Sequence, residues 1–315
     1  MPSPVSIGIF NIAKTVVDRD EVRRWLDFIG ADEFEIPEDG AVSNPALLIA
    51  LAAKRCYKSF QPGLNPNMSK VRSDYVDYFE NILASGHGSV LEHSVFSFAL
   101  ENVSRVFTAE MNRHRAGWAI SEGSMRFIRY SESIPYWEPD SIKASGAKSP
   151  ALDYCNNPAA EDGIVKAYLD LAWSDDKLRD VLQMFTNPPD TLELKKGLTR
   201  AVFRAAFSSQ ETAYRAMELI WAEELAPTSQ FKGKKEITSM MRRIVGMGVA
   251  TGGVWSGNVR GLRHVLTMRA SPAAEEEILH VFSRIAKQMQ EQEPLLFGDF
   301  HQNEQGYWVP KYVKV

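Results

Sequence analysis

Val5-Ser-Ile-Gly-Ile-Phe-Asn-Ile12 alternates along the chain and is rich in β-branched side chains, which predicts a strand. From Asp18 to Ile29 the period lengthens to that of a helix, with Asp18 or Asp20 as cap and Val22, Trp25, Leu26 and Ile29 on one face. A second helix is predicted from Asn44 to Tyr57, where Asn44-Pro45 supplies a cap and a first-turn proline. Gln61 to Asn67, with its prolines and glycine, is a loop. Lys70 to Ala84 is helical in period through Val71, Tyr75, Tyr78, Phe79, Ile82 and Leu83, and stops at Gly86. After the apolar segment Val95 to Leu100, Val103, Val106, Phe107 and Met111 continue at helical spacing into Arg113. That sets Arg113-His114-Arg115 at the C-terminal end of a helix, where the dipole favours cations.

The middle of the chain, from Trp137 to Gln230, carries no pattern that reads as chemistry. Ser141 to Asn157 is loop-like and Ile164 to Met184 helical; Thr186-Asn-Pro-Pro-Asp190 then breaks the chain before an amphipathic helix from Thr191 to about Ala226. Arg200, Arg204 and Arg215 on that helix read as solvated charges. Lys234 to Val245 is again helical, with Met240, Met241, Ile244 and Val245 on one side and Arg242 and Arg243 beside them. Gly246 to Gly253 has the glycine density of a phosphate loop without a complete fingerprint or a preceding strand, so it reads as backbone packed closely against a neighbour. In Asn258 to Arg269, Leu262, Val265, Leu266 and Met268 anchor one face while Asn258, Arg260, His264 and Arg269 are polar. Ser271-Pro272 opens a final helix with Ile278, Val281, Phe282, Ile285 and Met289 as its core positions.

Composition narrows the classes. With 315 residues, 44% of them hydrophobic, the chain can bury a sizeable core. A net charge of -4 and the lack of a long basic stripe argue against a nucleic-acid polymer as partner, but leave a mononucleotide open. No apolar run is long enough to span a membrane, and the first residues have neither a basic start nor a leader-like core. Cys56 and Cys155 make no disulfide framework, so the expected compartment is the reducing cytoplasm.

Against this acidic background stands Glu110 to Tyr130, where Arg113, Arg115, Arg126 and Arg129 gather with His114, Ser121, Glu122 and Ser124 among Trp118, Ile120, Met125 and Phe127. Guanidinium is the group best suited to bidentate recognition of phosphate and planar acceptors, which predicts a site for a phosphorylated, ring-bearing ligand. The bland alternative is an ion-paired helix end and loop. Upstream, His87-Gly-Ser89-Val-Leu-Glu92-His93 puts polar groups against a core, where they need partners. Their spacing fits none of the helical zinc patterns, and no metal is expected.

Three separated stretches together resemble the signatures of flavin-dependent thymidylate synthases. Arg113-His114-Arg115 followed by Ser121-Glu122-Gly-Ser124-Met-Arg126-Phe127 resembles that family's Arg-His-Arg, Asn-Glu, Ser-x-Arg-Tyr series. His87-x-Ser89-x-x-Glu92-His93 is similar to its upstream element, and Asn258-x-Arg260-x-Leu262-x-His264-x-Leu266-x-Met268-Arg269 to its downstream one. The resemblance implies an α/β (α+β) fold: a central, mostly antiparallel sheet flanked by helices, in a single domain over residues 1–315 with a helical insertion at about 140–228. It further implies a homotetramer with active sites shared between subunits. The implied reaction moves a one-carbon unit from methylenetetrahydrofolate to C5 of a uridine monophosphate, with FAD, recycled by NADPH, supplying the reducing equivalents. Carried over by position, Arg113, His114 and Arg115 would contact FAD, with Arg113 near the nucleotide as well; Ser89, Asn258, Arg260 and His264 would complete the flavin pocket, and His87 would lie near the folate. Glu122, Ser124 and Arg126 would hold the nucleotide's sugar and phosphate, joined by Arg243 of a neighbouring subunit. Arg269, against the uracil edge, and Ser124 would be closest to the chemistry.

Departures from the pattern bear on the acceptor. Eight residues separate Arg115 from Ser124, one more than is usual; Ser121 replaces asparagine, Phe127 replaces tyrosine, and Glu110 stands where the family commonly has glutamine. A carboxylate at Glu110 accepts hydrogen bonds where an amide both gives and accepts. It either receives the 2′-hydroxyl of UMP, as in family members of nucleoside-antibiotic biosynthesis that methylate uridylate, or pairs with a nearby arginine. The expected acceptor is dUMP, UMP or both. An alternative function is a flavin- and nucleotide-binding redox protein that has lost methyl transfer.

Overall fold

The computed structural model describes residues 3–68, 70–143, 149–155, 157 and 175–315. They gather into two compact units, a first from the described parts of Met1–Ile7, Asn102–Val106 and Gly123–Thr251, and a second from Gly8–Glu101, Phe107–Glu122 and Gly252–Val315.

The main sheet has four strands, β1 (Gly8–Lys14), β2 (Val95–Ser104), β3 (Trp118–Glu122) and β4 (Ala250–Asn258), in the order β1-β2-β4-β3. β1 runs antiparallel to β2, with Gly8 opposite Glu101, and β3 antiparallel to β4, with Trp118 opposite Gly257 and Glu122 opposite Gly253. The predicted antiparallel sheet flanked by helices is thus the fold observed. In β2 the two-residue period turns Phe96, Phe98 and Leu100 inward and leaves Val95 and Ala99 on the outer face.

Helices α1 (Arg19–Phe28), α2 (Asn44–Tyr57), α3 (Tyr75–Ala84), α4 (Arg105–Met111), α5 (Val259–Arg269) and α6 (Glu276–Gln292) flank this sheet in sequence and supply the second unit's core. Leu47, Ile49, Leu262, Val265, Leu266, Val281, Phe282, Ile285 and Met289 are buried, and Phe107 stacks on Phe282 while meeting Trp255 edge-on. Each such side chain stabilises the fold by about 1.5–3 kcal/mol, which is why the apolar period predicts these helices well.

Caps set the ends, and here the structure corrects several expectations. Asp18 caps α1, but α2 is capped by Ser43, whose hydroxyl accepts from Ala46 N, because the Asn44 side chain is engaged by Val17 N. α3 begins at Tyr75 under Asp74, not at Lys70, and β1 begins at Gly8, not Val5. α6 starts under the carboxylate of Glu275, beyond Ser271-Pro272, and it is not the last element. A short helix, Pro294–Phe297, and a hairpin of Phe300–Gln302 with Trp308–Pro310 follow it.

In the first unit the long helix Pro188–Ile220 and the helix Phe231–Met241 enclose a cluster of Tyr130, Ile134, Tyr136, Phe207, Tyr214, Ile237, Met241 and Val249, with Tyr136 stacked on Phe207 at 4.4 Å. Within the stretch expected as loop, Pro150–Cys155 is helical, because Ala151 packs against Leu194, Leu198 and Ala201 of the long helix. Of the helix expected over 164–184, Asp175–Gln183 is helical, and residues 164–174 lie outside the described residues. Arg200 and Arg215 are not simply solvated charges: they pair with the buried carboxylates of Glu138 (3.2 Å) and Glu211 (2.8 Å).

Candidate active site

The site is built where α4 hands over to β3. The backbone N–H groups of Arg113 and His114 donate to Glu110 O and Met111 O, so Arg113-His114-Arg115 forms a turn just past the helix end. Gly117 then takes φ +75°, a left-handed conformation that favours glycine, and its carbonyl accepts from Asn258 N at 2.9 Å. Asn258 in turn caps α5, its side-chain oxygen accepting from Gly261 N at 2.8 Å. The Arg113–Arg115 turn is therefore pinned to the start of α5, and a methyl group on Gly117 would lie 2.7 Å from the Asn258 Oδ1.

From that start α5 carries His264 and Arg269 to the turn. Arg269 donates from Nε to Nε2 of His114 at 2.9 Å and from Nη1 to Oε2 of Glu110 at 3.0 Å. The rings of His114 and His264 meet edge-on at 6.3 Å. Because His114 Nε2 accepts the hydrogen bond from the Arg269 Nε–H, that nitrogen carries no proton and the ring is neutral. Burial first, and then the charges of Arg269, His264 and Arg113, hold its pKa below the ordinary histidine value.

The structure brings Glu110, His114, His264 and Arg269 together and gives the other expected residues of the second unit contacts of their own. Asn112 donates to Glu122 Oε2 at 3.4 Å, tying that carboxylate to the Arg113–Arg115 turn. Arg260 pairs with Glu92 at 2.5 Å, and the segment Gly88–His93 packs between α2 and α5. The His87 ring meets Tyr57 edge-on at 5.6 Å, while Ser89 is exposed. Arg113 and Arg115 are also exposed, and among the described residues neither guanidinium has an ion-pair partner. So the bland reading, a stretch whose charges cancel internally, does not describe them.

Ser124, Arg126 and Arg243 belong to the first unit. Ser124 accepts from the N–H groups of Phe127 and Ile128 through its carbonyl and from Arg126 N through its hydroxyl at 3.4 Å, which leaves the Arg126 side chain exposed. Phe127 stacks on Phe231 at 5.8 Å. Arg243 is exposed on the single turn Arg242–Ile244.

Sequence reasoning missed Asn112, which holds Glu122, and Trp118, whose buried indole N–H has no hydrogen-bond partner among the described residues. It also missed Arg263, which lies between Leu262 and Leu266 and is held at 2.6 and 2.8 Å by Asp299. A charge inside the apolar stripe of α5 was the available signal.

A family model described as thymidylate synthase complementing protein matches residues 41–295. The chain belongs to that family. Curated relatives named flavin-dependent thymidylate synthase include one from Mycobacteroides abscessus, 26% identical over 289 residues and covering 92% of each chain. Another, from Geobacter sulfurreducens, is 34% identical over 104 residues, 32% of this chain and 44% of that one. Among solved structures, the UMP/dUMP methylase PolB from Streptomyces cacaoi, bound with 5-Br dUMP, matches with a TM-score of 0.53 at 13% identity, over 95% of this chain and 96% of that one. At that identity the likeness speaks for the fold. Membership of the thymidylate synthase complementing protein family agrees with the resemblance carried by the three motifs.

Proposed function

We propose that this family member catalyses reductive methylation at C5 of a uridine monophosphate, dUMP, UMP or both, with methylenetetrahydrofolate as carbon donor, NADPH as reductant and FAD as resident cofactor. The observation that carries the reading is Arg269: a half-buried guanidinium held on one side by a neutral imidazole and on another by a carboxylate, in a chain of this family. Uracil C5 is a poor nucleophile. A fixed cation at the polar edge of the ring stabilises negative charge as it develops there, and fixed donors need no reorganisation at the moment of reaction.

The residues present fit a flavin dinucleotide. Among the described residues Arg113 and Arg115 are cations without ion-pair partners, suited to its phosphates, and the buried Trp118 N–H is a donor without an acceptor. Bound FAD would supply the reducing equivalents. Around it the chain would bind and orient: Arg113, His114 and Arg115 hold the cofactor, Ser89, Asn258, Arg260 and His264 complete its pocket, and His87 lies toward the folate. Glu122, Ser124 and Arg126 serve the sugar and phosphate, joined by Arg243 of a neighbouring subunit, and Arg269 the base. As in the family resemblance, we take the working form as a homotetramer with subunits contributing to each other's sites, acting in the cytoplasm. No described helix is long and apolar enough to cross a membrane.

The test is product analysis. The flavin-loaded protein is incubated with methylenetetrahydrofolate, NADPH and either dUMP or UMP, and the nucleotide is examined for the mass of one added methyl group. A methylated product from either nucleotide supports the proposal. Flavin turnover with both nucleotides unchanged would instead favour a redox protein that has lost methyl transfer.

A further inference from the structure

Glu110 lies in the last turn of α4, and its carboxylate is half-buried. Its Oε2 accepts from Arg269 Nη1 at 3.0 Å, with 27% of the Glu110 side chain and 19% of the Arg269 side chain exposed. His114 takes the Nε–H of the same guanidinium at 2.9 Å. A guanidinium is planar, with five N–H donors in fixed directions, so two bonds made by two different nitrogens fix the plane. The remaining N–H groups are then held in one orientation. Nearby, Glu275 caps α6; burial, and more weakly the charge of Glu110, push its pKa up. Glu110 thus stands between a like charge and an opposite one, and leans on the opposite one.

We propose that Glu110 is the positioning residue of Arg269, acting on the nucleotide through that guanidinium and not through a sugar hydroxyl. The inference rests on the reading of Arg269 as the group that meets the uracil. An amide at this place could accept a hydrogen bond, but it would bring no charge to hold the guanidinium against a neutral His114. A carboxylate supplies both, and a charge-assisted hydrogen bond is about twice as strong as a neutral one. Because the base is common to both nucleotides, Glu110 then sets the rate with UMP and dUMP alike.

The test uses the flavin-loaded full chain as wild type, Glu110→Gln, Glu110→Ala, Arg269→Ala and the double variant Glu110→Ala with Arg269→Ala. Without nucleotide, nitrogen NMR follows the Arg269 Nε–H and the His114 ring. With each nucleotide, kcat and KM are measured separately. If Glu110 positions Arg269, both Glu110 variants speed exchange of the Nε–H with water. They also lower kcat by about tenfold to a hundredfold, the scale of a catalytic group displaced by an ångström. The factor is the same for UMP and dUMP, KM changes little, and the double variant is no worse than Arg269→Ala alone. A loss confined to UMP would overturn the proposal in favour of a 2′-hydroxyl contact. So would an unaltered Arg269 signal in Glu110→Ala, or losses that simply add in the double variant. If wild type methylates neither nucleotide, the functional reading fails on its own. The Arg269 signal then still decides whether Glu110 holds the guanidinium.

Discussion

Arg269 and His114 are 155 residues apart in the chain, yet the arginine Nε donates to the histidine Nε2 over 2.9 Å. The contact requires a neutral imidazole, since a protonated ring would present a second cation to the guanidinium. His114 is held below the ordinary histidine value of about 6.5 by burial and three neighbouring cationic or titrating side chains. A depressed histidine pKa favours the neutral form in the fold. Its stabilising contribution is therefore fully present above about pH 6.5 and is lost as pH falls through the lowered folded value. Nitrogen NMR of the ring should show the proton on Nδ1 and none on Nε2 at neutral pH. A doubly protonated ring at pH 7 would contradict this arrangement.

Arg263 and Asp299 form a bidentate pair with side chains only 3% and 7% exposed, and Arg263 also donates to Leu296 O. Removing one partner strands a buried charge. Asp299→Ala should therefore lower unfolding stability by about 3–5 kcal/mol in chemical denaturation. A loss under about 1 kcal/mol, the scale of an exposed pair, would mean that water reaches the guanidinium.

Gly117 has φ +75° and stands against Asn258. Gly117→Ala combines an unfavourable left-handed backbone, about 1–2 kcal/mol, with a side chain pushed into the cap of α5. The variant should lose stability and, because the Arg113–Arg115 turn is tied to that cap, bind flavin more weakly. Unchanged flavin affinity, measured by equilibrium titration, would show that the turn keeps its place without the cap.

Cys56 is an exposed free thiol on α2. Methyl transfer through Arg269 needs no cysteine nucleophile, so Cys56→Ala and Cys155→Ala should each retain turnover within a few-fold of wild type. Abolished methylation in either variant, with flavin still bound, would point to a covalent route.

Much of the second unit was legible because its helices have one buried face. Of the stripe Leu262, Val265, Leu266 and Met268 the first three are buried while Met268 is exposed, and Ile278, Val281, Phe282, Ile285 and Met289 are all buried. β4 was not seen as a strand, since Ala-Thr-Gly-Gly-Val-Trp-Ser-Gly-Asn is poor in β-branched side chains. Its glycines serve the neighbouring strands: a methyl group on Gly253 would meet Ser121 O at 2.4 Å, and one on Gly257 the Trp118 ring at 2.9 Å. Such crowding from distant residues leaves no local pattern. Likewise, Arg113-His114-Arg115 and Arg269 could be picked out as chemistry-bearing. Which of them touches which depends on the Gly117 and Asn258 contact that brings α5 to the turn. In sequence Glu110 is equally compatible with a sugar hydroxyl and with an arginine; the fold brings Arg269 to it.

The central claim is that uridylate methylation depends on the Arg269 guanidinium, and single-turnover methyl transfer by flavin-loaded Arg269→Ala tests it most directly. The expected result is retained flavin with a rate lower by about a hundredfold to a thousandfold, the scale of losing one preorganised charge-stabilising donor. A rate within a few-fold of wild type would contradict it.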